Sequence, residues 1–355
     1  MNKNLEYYED SKIYIVCPSN KKTGGTELLH QLCRVGVDNK CKAWISYYLE
    51  GKDASKTNPT PEAFRKYIDK YNFVEEIEDN HHNIIVLPEV CIGKHRKYKK
   101  IQKIAWWLSV DNYYAMVGKI SRLKKYGFLS FCKHIMLNDY IRTDDMFKFD
   151  LHLYQSRFAY QFLIGSNVDK DKTAYLSDYV NDIYLKEFSR DGRKDIVVYN
   201  PKKGFEFTSK IIEFAKYIKF IPLINMTNEQ VLDLLNNAKV YIDFGNHPGK
   251  DRIPREAAMS GCCVITNRRG SAKYYEDVRI PDSYKFDDNE ANISDVVNTI
   301  KKCFADYETI INDFEEYREM ITQEKEKFKM DAIDIFTDWN SSKWKKYIKM
   351  IYCLL

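Results

Sequence analysis

Residues 247–256, HPGKDRIPRE, bring together the side chains of this chain best suited to holding a phosphorylated ligand. The loop offers His247, Lys250 and Arg252, and Glu256 follows in the first turn of a helix just after Pro254. Apolar KVYIDFG precedes the segment and GCCVIT closes it, so 239–266 reads as strand, basic loop, short helix and second strand. Backbone N–H groups and the helix dipole point at an anion bound in such a place, and Lys250 and Arg252 add full positive charge. A carboxylate at the position of Glu256 can accept hydrogen bonds from two vicinal hydroxyls, as in a ribose.

Two other segments place similar chemistry at strand ends. Thr23-Gly24-Gly25-Thr26-Glu27 follows the apolar run KIYIVCPS. Paired glycines let a backbone approach a phosphate closely, and the next helix supplies N–H groups. The run is neither GxGxxG nor a loop ending in GK[ST], which disfavours a dinucleotide fold of the first type and a P-loop. Asn200-Pro201-Lys202-Lys203-Gly204 closes the run DIVVYNPKKG, and lysines beside a tight turn at a strand end suit a diphosphate. Open α/β sheets bind ligands at the carboxyl ends of their strands, and all three segments fall there.

The elements that must position them alternate. KIYIVCPS (12–19), CKAWISYYL (41–49), NIIVLPEV (83–90), KIAWWLSV (103–110) and DLHLYQS (150–156) read as strands, with helices over ELLHQLCRVG, PEAFRKYI and RFAYQFL between or after them. The polar stretch 169–194 is expected to be an inter-domain connection. The alternation restarts with DIVVYNPKKG, helix FTSKIIEFAKYI, strand KFIPLINM, helix NEQVLDLLNNA and strand KVYIDFG, with Thr227 and Gln230 at capping-box spacing. Apolar residues at intervals of three or four predict a long helical run from about Ile293 to Lys329. Strands alternating with helices indicate parallel sheets with helices on both faces. The expected domains are 1–180, 181–330 and a tail helix over 331–355.

Composition narrows the classes. Hydrophobic residues make up 44% of the 355, enough for ordinary cores. No apolar run approaches the roughly 20 residues that span a bilayer, and the N-terminus does not read as a secretory signal. Nine Cys form no CxxC and several lie inside apolar strands, which favours reduced thiols in a cytoplasmic protein. The seven His show no metal spacing, and Asp169-Lys170-Asp171 has the D-x-D form but sits in a polar stretch, so no metal is expected. The net charge of +5 is unevenly spread: between Glu89 and Asp139 the only acidic residue is Asp111, against eleven Lys and Arg. Those cations, in 94–133, are interleaved with Tyr98, Tyr126, Phe128, Leu129 and Phe131. Such a surface suits an anionic membrane ahead of a nucleic acid, because its apolar residues bunch instead of alternating. The end of the chain, KWKKYIKMIYCLL, repeats the pattern on a small scale.

These segments resemble glycosyltransferases of the GT-B fold, nearest the retaining, nucleotide-sugar-dependent group, over most of the chain. The resemblance implies an α/β protein of two Rossmann-like domains facing across a cleft, with a C-terminal helix. Gly24 and Gly25 are similar to the family's N-terminal glycine loop against the donor diphosphate. Asn200 to Gly204, including Lys202 and Lys203, resembles the basic strand end that opens the C-terminal domain. PREAAMSGCCVIT resembles the P-x-E-A-x-x-x-G-x-P-V-I segment, with Glu256 on the ribose. NRRGSAKYYED, which includes Ser271, is similar to the following donor loop that ends in an acid, here near Glu276. Lys203, Lys250 and Arg252 would stabilise the departing diphosphate without a metal or other cofactor.

The chain departs from the family in two places. Two glutamates separated by seven residues are usual, and the position seven intervening residues before Glu256 is Pro248. His247 and Asp251 are the candidates to substitute. The family's N-terminal histidine is also absent, and WWLSVDNYY places Ser109 and Asp111 there, with Asp111 the candidate base of an inverting reaction. The resemblance implies transfer of a sugar from a UDP- or GDP-sugar to a glycan or lipid-linked acceptor in bacterial-type surface polysaccharide assembly, on the inner face of a membrane. A non-catalytic scaffold of the same fold, or a polyanion-binding protein using 94–133, are the alternatives.

Overall fold

The computed structural model describes residues 5–48, 59–68, 74–118, 123–124, 127–138 and 140–336. It divides into two units, one of Met1–Gln155, Tyr160–Leu176 and Lys327–Leu355, the other of Ser156–Ala159 and Ser177–Glu326.

The first unit is built on a six-stranded sheet of β1 (Lys12–Pro18), β2 (Lys42–Tyr48), β3 (Ile84–Pro88), β4 (Gln102–Trp107), β5 (Leu151–Tyr154) and β6 (Thr173–Tyr175). Their order is β2-β1-β3-β4-β5-β6 and all neighbours are parallel. β3 is buried at every residue, as in parallel sheets whose two faces are both covered. Helix α1 (Gly24–Asp38) begins at the glycine pair itself, because the side chains of Thr23 and Thr26 form a capping box around it. The glycines are thus the first helical turn and not a loop ahead of it. β4 stops at Trp107, short of the expected Val110, because the Ser109 hydroxyl accepts the Asn112 N–H and starts helix α2 (Val110–Met116). Helix α3 (Phe128–Met136) and helix α4 (Arg157–Gly165) follow.

The polar stretch from 169 contains more than a connection. Asp169 caps a single turn by accepting the Asp171 N–H, and Thr173–Tyr175 then joins the sheet as its edge strand. Three residues give no readable periodicity, and an edge strand is free to be polar on its open side.

The second unit carries a five-stranded parallel sheet in the order β11-β10-β9-β7-β8, from β7 (Lys194–Tyr199), β8 (Lys219–Pro222), β9 (Ala238–Asp243), β10 (Cys263–Asn267) and β11 (Lys285–Phe286). Helices α5 (Phe205–Phe214), α6 (Asn228–Asn237) and α7 (Arg252–Met259) connect the strands. The Thr227–Gln230 capping box forms as its spacing predicts. The buried guanidinium of Arg193 binds the carbonyls of Leu235 and Ser260 at the ends of α6 and α7 and that of Ala238, where a cation complements the helix dipoles. Gly261 has φ +83 and a Cβ there would collide with that guanidinium, so the residue that ends α7 must be glycine.

The long helical run is broken. Helix α8 (Ile293–Ala305) ends at Asp306, and α9 (Tyr307–Ile310) and a tight turn over Ile311–Phe314 lead into α10 (Glu315–Phe336). Val297, Ile300, Tyr307, Ile311, Phe314, Tyr317 and Ile321 are all buried in one core. Bending the run lets every one of these reach that core, whereas a straight rod would carry its ends past it.

Candidate active site

Three loops leave the carboxyl ends of β7, β9 and β10 and lock into one block. Gly204 (φ +61) and Gly245 lie so close that a Cβ on Gly204 would strike the Phe244 carbonyl. Gly270 (φ +55) touches the His247 carbonyl in the same way. Asn267 donates its amide to the Gly245 carbonyl at 2.9 Å, Ser271 N–H donates to the His247 carbonyl at 2.8 Å, and Ser271 Oγ donates to the Gly249 carbonyl at 2.6 Å. Ser271 is therefore a buried brace of the loop.

This frame holds a line of charged groups. Asp243, the last residue of β9, accepts the Tyr241 hydroxyl at 3.0 Å and the Gly245 N–H at 3.0 Å. His247 is fully buried, with Nε2 3.7 Å from Asp243 Oδ1 and Nδ1 3.0 Å from Asp251 Oδ2. Lys203 Nζ then lies 2.9 and 2.8 Å from the two Asp251 oxygens, with its side chain 36% exposed. Burial pulls the His247 imidazole down, but Asp251 and Asp243 outweigh it and its pKa is raised above 6.5. Burial pushes Asp251 up, yet His247 and Lys203 hold its carboxyl below the ordinary value. Asp243, His247 and Asp251 are close enough to share an ion. Their carboxylate oxygens are already taken by Tyr241, Gly245, His247 and Lys203, so the group works as an ion-pair relay ending in a partly exposed ammonium.

The other cations of the motif turn inward. Lys250 Nζ is 2.6 Å from Glu324 Oε1 and donates to Ser177 Oγ at 3.2 Å. Arg252 Nε is 3.2 Å from Asp178 Oδ2. Arg255, fully buried, spans Asp178 at 2.7 Å and Glu324 at 2.6 Å. Lys250 is thus committed to the interior, and Arg252 keeps only a minor part of its side chain exposed. The sequence reading passed over Arg255, although it adjoins Glu256, and nothing near the motif pointed to Asp178 or Glu324.

The remaining expected residues divide between the units. Asn200 Oδ1 accepts the Lys202 N–H at 3.1 Å, leaving the Lys202 side chain exposed beside Lys203. Glu256 is half-buried and is the fifth residue of α7, not in its first turn, because that helix starts at Arg252 ahead of Pro254. Glu276 is exposed, and its neighbour Asp277 is the buried acid. Asp277 accepts the Arg157 and Phe158 N–H groups at 2.7 and 3.2 Å, and burial pushes its pKa up to about 6.

Gly24, Gly25 and Asp111 belong to the first unit. A cavity of about 360 Å³ opens there, with Lys21, Thr23, Gly25, Glu89, Ser109 and Asn112 in its wall. Asp111 is half-buried on α2 and is not among the described residues that line it. Glu89, which the sequence reading did not single out, does line it.

No protein-family model and no curated protein sequence matches the chain. Solved structures do match in fold. HepE from Anabaena, solved with UDP-glucose, aligns at TM-score 0.58 and 11% identity over 91% of this chain and 98% of that one. The lipopolysaccharide outer core galactosyltransferase WaaB aligns at TM-score 0.54 and 11% identity over 90% and 99%. Sucrose-phosphate synthase from Thermosynechococcus elongatus aligns at TM-score 0.51 and 12% identity over 97% and 100%. TarM aligns at TM-score 0.44 and 15% identity, and this chain spans 55% of its length. The chain has the GT-B fold: two α/β units, each on a parallel sheet, with a C-terminal helix.

Proposed function

We propose that this chain is a glycosyltransferase that moves a sugar from a UDP- or GDP-sugar to a glycan or lipid-linked acceptor in surface polysaccharide assembly. The observation that carries the reading is Lys203, held at the carboxyl end of a parallel sheet by a buried carboxylate–imidazole–carboxylate line. In this reading the donor diphosphate lies against Lys203, Lys202 and the first turn of α5, and Glu256 receives the ribose hydroxyls. As the bond from sugar to diphosphate breaks, negative charge grows on the leaving oxygens, and fixed positive groups lower that barrier most. Lys203 and the α5 dipole supply them through this chain's own groups, so the reaction proceeds without a metal. Lys250 and Arg252 act at one remove: their ion pairs fix the loop that carries Asp251. The acceptor belongs to the first unit.

The known neighbours support a donor of this class, since HepE was solved with UDP-glucose and WaaB is named a galactosyltransferase. The test is a nucleotide panel read by thermal shift, followed by nucleotide sugars read by diphosphate release. UDP or GDP should stabilise the protein, and Lys203→Ala should reduce the shift at a fixed nucleotide concentration. Absence of a shift with every nucleotide rejects the reading and leaves a scaffold of the same fold.

The acceptor's lipid would bring the enzyme to an anionic membrane. Lys97, Lys99 and Lys100 are exposed, and α3 presents Leu129 and Met136 to solvent. Among the described residues no helix is long and apolar enough to cross a membrane. Arg96 is instead spent internally, bound to Asp145 and to the carbonyls of Asn138 and Tyr140. Lys119, Arg122, Lys125, Tyr126 and the tail from 337 lie outside the described residues. Binding to anionic vesicles that weakens with salt and with neutralisation of Lys97, Lys99 and Lys100 is the expected result; binding indifferent to salt rejects it.

A further inference from the structure

We propose that His247 is a positioning residue of the donor site: its imidazolium, acting through Asp251, leaves the Lys203 ammonium free to meet the diphosphate, so that donor binding is coupled to a proton held in the protein interior. The inference rests on the glycosyltransferase reading above and adds to it a group that touches no ligand.

Four groups of alternating sign stand in a row. Asp243 ends β9, His247 and Asp251 follow at intervals of four residues, and Lys203 comes from the loop after β7. Nε2 of His247 faces Asp243 at 3.7 Å, Nδ1 faces Asp251 at 3.0 Å, and Asp251 meets Lys203 at 2.8 Å. The His247 side chain is fully buried, whereas that of Lys203 is 36% exposed. A ligand therefore meets the row at its ammonium end.

The neighbouring groups have other roles. Tyr241 of β9 gives its hydroxyl to Asp243, and burial pushes its pKa up, so it stays neutral. Glu256 of α7 acts on that same phenol. Tyr317 of α10 is near enough to feel Asp251, and burial keeps it neutral too. The loop after β10 meets His247 through backbone, with the Ser271 N–H on its carbonyl, while Arg268 and Arg269 pair with Asp282 and Asp288. Lys250 and Arg252 pair with Glu324 and Asp178.

An imidazolium has two N–H groups and serves both carboxylates, whereas a neutral imidazole has one. With His247 charged, the four groups sum to zero and Asp251 divides its charge between ring and ammonium. With His247 neutral, the row is net negative by one charge and one carboxylate faces a bare ring nitrogen. Lys203 then answers more of the Asp251 charge, and less of its field is left for an anion. Burial favours losing the proton, but the two carboxylates outweigh it and hold the pKa above 6.5. A diphosphate against Lys203 adds negative charge and holds that proton more firmly. By linkage, donor affinity falls as pH rises through the pKa of the free protein. A unit charge acting across about 10 Å at an effective dielectric of about 20 changes an affinity on the order of tenfold.

Calorimetric titration with UDP and with GDP tests the coupling, comparing wild type with His247→Gln. The nucleotide's own phosphate proton is common to both proteins and cancels in the difference. Relative to the variant, wild-type affinity should fall on the order of tenfold as pH rises from 6.5. In two buffers of different protonation enthalpy, the wild type should take up the larger fraction of a proton on binding. Asp277, pushed up to about 6, is largely ionised across that range, and Lys285, pulled down to about 8, titrates within it on edge strand β11. Both are retained in the variant, so neither contributes to the difference. If His247→Gln does not fold, nitrogen NMR of the histidine rings in the wild type replaces it, and one ring should titrate at higher pH once nucleotide is bound. Equal proton uptake and pH dependence in the two proteins, or no ring whose titration moves, overturns the assignment and leaves the nucleotide-sugar reading in place. A wild type that binds no nucleotide at any pH sinks that broader reading instead.

Discussion

Lys203 Nζ lies 2.8 and 2.9 Å from the two carboxylate oxygens of Asp251, across 48 residues of sequence. The pair joins the first strand-end loop of the second unit to the loop of the basic motif, and it leaves an ammonium at the surface whose direction is set from behind. An anion arriving at that surface meets a cation already aimed, so little side-chain entropy is lost on binding.

Removing either partner should separate binding from stability. Lys203→Met should weaken nucleoside diphosphate affinity at least about tenfold, the scale of one hydrogen bond to a charged group. Asp251→Asn should keep part of the affinity, because the ammonium remains while its alignment loosens. Isothermal titration of both variants with UDP and GDP checks the order, and equal losses would contradict it.

His247 gives the stability a signed dependence on pH. Its folded pKa is raised above the unfolded value of 6.5, so its contribution is full below pH 6.5 and is lost as pH rises through the folded value. Denaturant unfolding should show stability falling as pH climbs above 6.5, and His247→Gln should flatten that limb.

His152 has the opposite sign. It is buried as a neutral acceptor of the Trp107 indole N–H at 3.0 Å, and burial pulls its pKa down to about 4. The unfolded chain binds the proton first, so stability is lost as pH falls from 6.5 toward 4, by on the order of 3 kcal/mol. His152→Asn, which keeps an acceptor, should show a shallower acid limb in the same unfolding series.

Arg255 is the centre of the buried network. Arg255→Met removes the cation shared by Asp178 and Glu324, leaving them only Arg252 and Lys250, and should cost about 3 kcal/mol. Replacing Asp178 and Glu324 as well should add to the loss, because Arg252 and the buried Lys250 then lose their counter-ions. Urea midpoints measure both.

Gly204→Ala should destabilise the second unit by about 3 kcal/mol or more, since it combines a left-handed backbone with a collision against the Phe244 carbonyl. Gly165→Ala, at the end of α4 with open space around it, is the control and should be neutral or slightly stabilising. Thermal unfolding of the two distinguishes local geometry from a general effect of added methyls.

Much of the fold was legible because burial on both faces writes continuous apolar runs, such as NIIVLP for β3 and KVYID for β9. β6 was not, since three edge residues leave no period to read. The break at Asp306 was hidden for the opposite reason: its flanks keep one apolar spacing although the chain bends between them. At the site, residue types marked the basic motif and the Asn200–Gly204 turn, and Lys203 and Asp251 do meet. The inward fate of Lys250 was not legible, because Glu324 is 74 positions away and only the fold brings it near. Glu89 carried a signal that could have been used, an acid directly after an apolar strand. In the sequence it reads as part of the strand NIIVLPEV (83–90).

The first unit is finished by residues that are synthesised after the second. Phe328 stacks on Trp106 of β4, and Ala332 and Phe336 share the wall of one small cavity with Ile13 and Leu32. On the ribosome the stretch 177–326 must emerge between the sheet and the helix that covers it. At bacterial to eukaryotic elongation rates that interval is roughly 8 to 30 s. For that time the half-built sheet lacks the Phe328 ring that covers Trp106, so its apolar face stays open until the segment from 327 arrives.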